Sequence, residues 1–226
     1  MEMSRSEVLR YLGHKQQKID AGLNQLIDSC MKEMTEIAKP RYVYEFFEIT
    51  EVQEAAIVLN ESLTLKGKSI TNHLKDCSKC VLLAGTLGIN VDRQIKQYQL
   101  VDMTRALVLD ACATAAIEVL CDEAEEEIKK LNLVKGYHTT FRFSPGYGDL
   151  PIELQPEVLN QLNAFAKIGL TSTEQCILVP RKSVTACIGL GTQLENNKKK
   201  SCRDCDAYEH CGSRREEDPC EFSKGL

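Results

Sequence analysis

Apolar residues recur at steps of three and four along the first part of the chain, at Val8, Leu12, Ile19, Leu23, Leu26, Ile27, Cys30, Met31, Met34 and Ile37. This spacing predicts one long amphipathic helix from Ser4 to Ala38, opened by a Ser4/Glu7 capping-box pattern and closed before Pro40. The pattern then changes to aromatic and β-branched residues in "RYVYEFFEI" (41–49), which predicts a strand. Further strands are expected at Ala56 to Leu59 and at "VLLAGTLG" (81–88), with a short helix around Ile70 to Leu74 between them. From Val91 to Leu131 a second long helix is predicted, and its middle, "ALVLDACATAAIEVLCDEA", is apolar nearly all round, as a buried central helix should be. A strand over Tyr137 to Phe143, a helix over Pro156 to Ala166, and apolar strands at 176–180 and 183–191 complete the reading. Strands scattered among helices without a regular β-helix-β rhythm predict an α+β fold, long helices packed on a mostly antiparallel twisted sheet. The pattern fades after Thr192, where "QLENNKKK" reads as a polar linker to a Cys-rich C-terminal tail; residues 1–192 are expected to form the folded domain and 193–226 the linker and tail.

Composition narrows the classes of function. The chain has 226 residues and a net charge of -5, and its one basic run is the short Lys198-Lys199-Lys200. Nucleic-acid and anionic-membrane binding, which call for clustered cations in excess, are not expected. The polar N-terminus and the lack of a long apolar run predict a cytoplasmic protein without a leader or spanning segment. In such a compartment eleven cysteines are available for packing, metal binding or redox chemistry rather than for disulfides.

The densest chemistry lies in "RFSPGYGDLP", Arg142 to Pro151. Arg142 at a strand end presents a fork that can hold a carboxylate or phosphate in a bidentate grip. Gly146 and Gly148 permit positive φ and close backbone approach, Pro145 stiffens the turn, and Tyr147 offers a ring face and a hydroxyl. The same residues would equally make a plain turn in which Arg142 pairs with a surface acid, and spacing alone does not choose.

The segment resembles the Arg-x-x-Pro-Gly-Tyr signature of the S-adenosylmethionine-binding activation domain of cobalamin-dependent methionine synthase. The likeness extends over most of residues 1–192: "KIGLTSTEQCILVPRKSVTACIG" is similar to that family's Leu-Thr turn, Pro-terminated strand and Ser-Val pair, and "LDACATAAIEVLCDE" to its long buried helix with spaced acids. "LLAGTLGINVDRQI" resembles a shorter, free-standing branch in which activation is supplied by a separate polypeptide. The resemblance implies that Arg142 grips the carboxylate of S-adenosylmethionine, that the backbone of Ser144 borders the ligand, and that Gly146 and Tyr147 shape its adenosine side. Two family acids on the helix align with Thr114 and Glu118, which leaves Glu118 for the ligand's ammonium or sulfonium. A family tyrosine aligns with Ile188, so that contact is missing or replaced.

The function so implied is reactivation of a separate cobalamin-dependent methionine synthase lacking its own activation domain. Cobalamin carried by that partner, once oxidised to Co(II), regains activity by taking up one electron, from a donor such as flavodoxin or ferredoxin, and a methyl group from S-adenosylmethionine. A protein in this role positions the donor and excludes water, and needs no nucleophile or base of its own. The sequence indeed presents no Ser-His-Asp or Cys-His set and no Gly-x-Gly-x-x-Gly opening after a first strand.

Four cysteines of the tail, Cys202, Cys205, Cys211 and Cys220, follow the spacing C-x2-C-x5-C-x8-C. Four thiolates in a segment with few core formers suit zinc or an iron-sulfur cluster, and the spacing does not separate the two. A metal-binding accessory or electron-transfer protein of a corrinoid methyltransferase system is the alternative function. Cys77 and Cys80 form another C-x2-C, open to reading as packed small residues, a redox pair or a half-site shared with the tail. Cys30, Cys112, Cys121, Cys176 and Cys187 are expected to fill core space, and His14, His73, His138 and His210 carry no ligand spacing.

Overall fold

A computed structural model describes residues 2–14 and 18–192 of the chain. Among the described residues the fold is α+β: seven α-helices and a six-stranded antiparallel sheet in the order β3-β2-β1-β4-β8-β5, with a separate two-stranded ribbon, β6-β7. In chain order the elements are α1 (Arg5–Tyr11), α2 (Ala21–Ile37), β1 (Arg41–Gln53), β2 (Ala56–Leu59), β3 (Leu63–Lys66), α3 (Lys68–Leu74), β4 (Lys79–Thr86), α4 (Ile89–Val101) and α5 (Met103–Leu133). They continue with β5 (His138–Thr139), α6 (Gln155–Gln161), α7 (Ala164–Ile168), β6 (Thr171–Ser172), β7 (Leu178–Val179) and β8 (Ser183–Gly191).

Each long helix predicted from the pattern is two helices. The first ends in a Schellman cap: Gly13 takes φ 73°, its N–H reaches the Arg10 carbonyl at 2.9 Å, and the His14 N–H reaches the Leu9 carbonyl at 3.0 Å. The capping box expected at Ser4 does not form, because the Ser4 hydroxyl bonds Ser6 and Glu7 turns to Arg10. The second helix of the pair has its own cap, Asp20, whose carboxylate accepts from the Leu23 N–H at 2.8 Å. Between α4 and α5 the break is Asp102, with φ -151° and ψ 86°, whose side chain caps α5 by accepting from the Arg105 N–H at 3.0 Å. The helix expected over 156–166 also divides, at Asn163 with φ 49°.

Contacts group the described residues into two units, and β1, β4, β8 and α5 each run through both. One unit takes in parts of Met1–Val43, Ala84–Glu126 and Leu159–Val184. Its core is built on the apolar middle of α5, where Val108, Leu109 and Cys112 pack with Ile27, Cys30 and Met34 of α2. The alanines of α5 let neighbours come close, which explains why this stretch needs so few large side chains. Arg105 ties the same unit together: its guanidinium donates to Glu33 at 2.5 Å and Ser29 at 3.0 Å, and lies 5.0 Å from the centre of the Tyr98 ring.

The other unit takes in Tyr44–Leu83, Glu127–Val158 and the described part of Thr185–Leu226. Strands β2 and β3 pair antiparallel, Ile57 against Leu65 and Leu59 against Leu63, and all four side chains are buried. The turn between them places Asn60 and Glu61 at positive φ, 47° and 58°. Ile70 and Leu74 of α3 and Leu82 and Leu83 of β4 are buried in the same unit.

Candidate functional site

The strand expected over Tyr137 to Phe143 is interrupted at Phe141 and Arg142. β5 pairs with β8 through His138 against Gly191 and Thr139 against Leu190. The Thr140 N–H extends the ladder to the Gly189 carbonyl at 2.9 Å, and Phe143 resumes it by exchanging bonds of 2.9 and 2.8 Å with Cys187. Phe141 and Arg142 thus stand together opposite the single residue Ile188, the two-against-one count of a β-bulge. The displaced Gly189 N–H is taken by the Thr140 hydroxyl at 2.8 Å. His73 of α3 stands at the bulge: its Nε2 lies 3.0 Å from the Phe141 carbonyl oxygen and 2.9 Å from the Thr140 hydroxyl oxygen. The His73 ring leans on Phe141 and Phe143, at 4.3 and 5.1 Å between centres.

Beyond Phe143 the chain folds into a tight loop closed by its own backbone. Tyr147 N–H donates to the Ser144 carbonyl at 3.0 Å, Leu150 N–H to the Tyr147 carbonyl at 3.0 Å, and Gly146 N–H to the Leu150 carbonyl at 2.9 Å. Gly146 and Gly148 both have positive φ, 92° and 52°, as the glycine pair predicts. The Tyr147 ring meets Phe143 edge to face at 6.0 Å. Arg142, Ser144 and Tyr147 are half-buried while Gly146 is exposed.

On α5, Asp110, Thr114 and Glu118 form a half-buried polar stripe at successive turns of the helix's apolar middle. Lys182 covers the first two: its ammonium donates to Thr114 Oγ1 at 2.9 Å and pairs with Asp110 at 2.9 Å. Nearby in the same unit a chain of hydroxyls fixes the Pro180 to Ser183 segment. Gly88 N–H donates to Thr86 Oγ1 at 3.1 Å, Thr86 and Ser183 share a bond of 2.8 Å, and the Ser183 hydroxyl donates to the Pro180 carbonyl at 2.7 Å.

Four of the predicted ligand residues, Arg142, Ser144, Gly146 and Tyr147, are thus brought together in one loop of one unit, while Glu118 stands on α5 in the other. Cys202, Cys205, Cys211 and Cys220 lie outside the described residues. Among the described residues no group of three or more His, Cys, Asp or Glu is arranged to hold a metal ion. Cys77 and Cys80 are buried, and both thiols are pushed up, Cys77 by burial to about 12 and Cys80 by its hydrogen bond to Cys187 and by burial. Such thiols are poor nucleophiles, which favours packing over a redox pair. Cys176, expected in the core, is only half-buried and takes φ 61°. Among the described residues no helix is long and apolar enough to cross a membrane.

Sequence reading passed over Asp149, Lys182 and His73. Asp149 accepts from the N–H groups of Lys68 and Ser69, 81 and 80 residues away, so no local pattern signals the contact.

The bulge and loop stand at the β5 edge of an α+β sheet whose class is found among solved structures. The likeness is to a crystal structure of the MetH reactivation domain bound to AdoHcy, with a TM-score of 0.61 and 14% sequence identity, over 92% of this chain and 76% of that one. At that identity the likeness concerns the fold. No protein-family model and no curated protein matches the sequence.

Proposed function

We propose that this protein binds S-adenosylmethionine and reactivates a separate cobalamin-dependent methionine synthase that lacks its own activation domain. The observation that carries the reading is the Arg-x-x-Pro-Gly-Tyr sequence at Arg142 to Tyr147, folded into a bulge and loop, within a fold like that of a domain crystallised with AdoHcy. Arg142 is the residue to hold the ligand carboxylate, because a guanidinium fork matches a carboxylate and the bulge displaces it from the regular pleat. Ser144 and Gly146 border the ligand with backbone, and Tyr147 supplies the face for the adenine. The transferred methyl comes from S-adenosylmethionine, the electron from a flavodoxin- or ferredoxin-like donor, and the acceptor is the partner's corrinoid. This chain's share is binding, orientation and exclusion of water.

The residues fit this ligand with two departures. Ile188 is fully buried, so position 188 supplies no aromatic hydroxyl. Thr114 has a hydroxyl already engaged by Lys182 and the Asp110 carbonyl.

Calorimetric titration with S-adenosylmethionine tests the reading. Binding by the unaltered protein should weaken by about ten- to a hundredfold in Arg142→Ala, the loss expected for a charged bidentate contact. No binding by the unaltered protein overturns the ligand assignment. Addition of the protein to an oxidised synthase with a reductant should restore methylated cobalamin, and equal recovery without it overturns the activator role.

The second reading, a metal-binding accessory or electron-transfer protein, is favoured by the spacing of Cys202, Cys205, Cys211 and Cys220. A brown sample absorbing in the visible indicates an iron-sulfur cluster, and a colourless one with stoichiometric zinc a structural clamp. Metal-free protein overturns both.

A further inference from the structure

The loop of Arg142 to Pro151 does not rest on its own turn bonds alone; it is wrapped on α3 and tied there at both ends. At the first end His73 Nε2 lies against the Phe141 carbonyl. At the other, the Asp149 carboxylate spans the start of α3, accepting from Lys68 N–H at 2.7 Å and from Ser69 N–H at 2.9 Å. Two glycines make this approach possible. A Cβ on Gly67, which has φ 139°, would stand 2.7 Å from Asp149 Oδ1 and 2.9 Å from its carbonyl oxygen. A Cβ on Gly148 would stand 2.6 Å from the Ser69 hydroxyl oxygen. Neither distance is attainable by a real side chain, so the sequence keeps both positions bare where loop and helix meet. The bonds from Ser69 and Lys68 also hold the Asp149 carboxyl below its usual range, in keeping with an ionised cap.

We propose that Asp149 is the positioning residue of this loop: its two bonds to the first amides of α3 fix the turn that presents Ser144, Gly146 and Tyr147, and through that turn the affinity for the ligand. The ligand half of the inference rests on the S-adenosylmethionine reading above; the loop half does not. Asp149 touches no ligand in this scheme and acts only through the shape of residues 144–150. Of the two ties it is the one a substitution can cut cleanly, because it is exposed, whereas His73 also packs between two rings.

The test compares the full chain with Asp149→Ala and Asp149→Asn in two measurements. Amide hydrogen exchange is read at Gly146, Tyr147 and Leu150, whose N–H groups close the loop, and at Lys68 and Ser69. Asp149→Ala is expected to speed exchange at these five sites by about tenfold, the loss of two charge-assisted hydrogen bonds discounted for solvent, with Phe143 and Cys187 unchanged. S-adenosylmethionine affinity, read by calorimetry, should fall by a similar factor. Asp149→Asn keeps one acceptor oxygen and should recover part of both losses. Exchange in Asp149→Ala equal to the unaltered protein overturns the proposal, as does a uniform acceleration along the whole chain that Asp149→Asn does not relieve. If the unaltered protein binds no S-adenosylmethionine, the functional reading falls and the exchange pattern alone decides whether Asp149 holds the loop.

Discussion

Arg142 lies opposite Ile188 across a β-bulge, the guanidinium-bearing residue half-buried on one strand and the aliphatic one fully buried on the other. The family resemblance would place a tyrosine at 188, yet that position on β8 is closed, with Ile188 fully buried. Ile188→Tyr should therefore overpack this layer and cost about 3 kcal/mol, while Ile188→Val should cost about 1 kcal/mol. Urea unfolding of the two variants checks both figures. S-adenosylmethionine affinity that rises in Ile188→Tyr at unchanged stability would contradict the closed geometry.

Lys182 and Thr114 show how a second departure is accommodated. With Asp110 one turn earlier supplying the carboxylate, the ammonium is already paired, and Asp110 is half-exposed. Lys182→Met is expected to cost about 1 kcal/mol, the range of a solvent-screened pair. Thr114→Glu should be nearly neutral with Lys182 present and destabilising in the Lys182→Met background, a coupling of about 0.5–1 kcal/mol in a double-mutant cycle of urea midpoints. Additive effects would mean that the two side chains do not share a partner.

How much of this was legible in the sequence depended on whether the cause was local. The apolar run of β8 and the four apolar residues of β2 were read with their observed bounds, because continuous burial leaves a continuous pattern. Gly13 and Asp102 were visible too, but a periodic stripe runs through both breaks and masks them; the Schellman cap and the Asp102 cap are decided by single residues that periodicity averages away. Strand β3 has only Leu63 and Leu65 on its inner face, too short an alternation to read. The loop glycines and Arg142 could be picked out by residue type, whereas the bulge depends on pairing with β8, and Asp149 and Lys182 find partners 80 and 72 residues away. Long-range polar contacts of this kind carry no periodic signal.

Arg105 is the polar anchor of the α5 unit, with one terminal nitrogen on both Glu33 and Ser29 and its guanidinium over the ring of Tyr98, which itself donates to Glu33 at 2.8 Å. The bond to Glu33 leads in raising the guanidinium pKa above its ordinary value. Both charged side chains are mostly covered, at 24% and 16% exposure, so the pair falls between a surface and a buried bridge. Arg105→Ala should lose about 2 kcal/mol in urea unfolding. Arg105→Lys should recover less than half of that, since an ammonium keeps the charge but not the planar guanidinium over Tyr98. Full recovery by lysine would reduce the cluster to a simple ion pair.

The buried thiols predict a stability limit at alkaline pH. Burial pushes Cys77 and Cys112 up to about 12 and Cys30 up to about 11, from an ordinary value of 9.0. The folded state thus keeps protons that the unfolded chain releases, so their contribution is whole below about pH 9 and is lost as the pH rises toward the folded values. The urea midpoint should decline from about pH 9 upward, and Cys112→Val should remove part of the decline. The same burial governs reactivity, because only the thiolate alkylates and only an accessible sulfur is reached. Iodoacetamide at about pH 8 should label the half-buried Cys176 in the native protein and spare Cys30, Cys77, Cys80 and Cys112 until urea is added. Peptide mapping by mass spectrometry resolves the sites, and native labelling of Cys77 or Cys80 at the rate of Cys176 would reopen the redox reading of that pair.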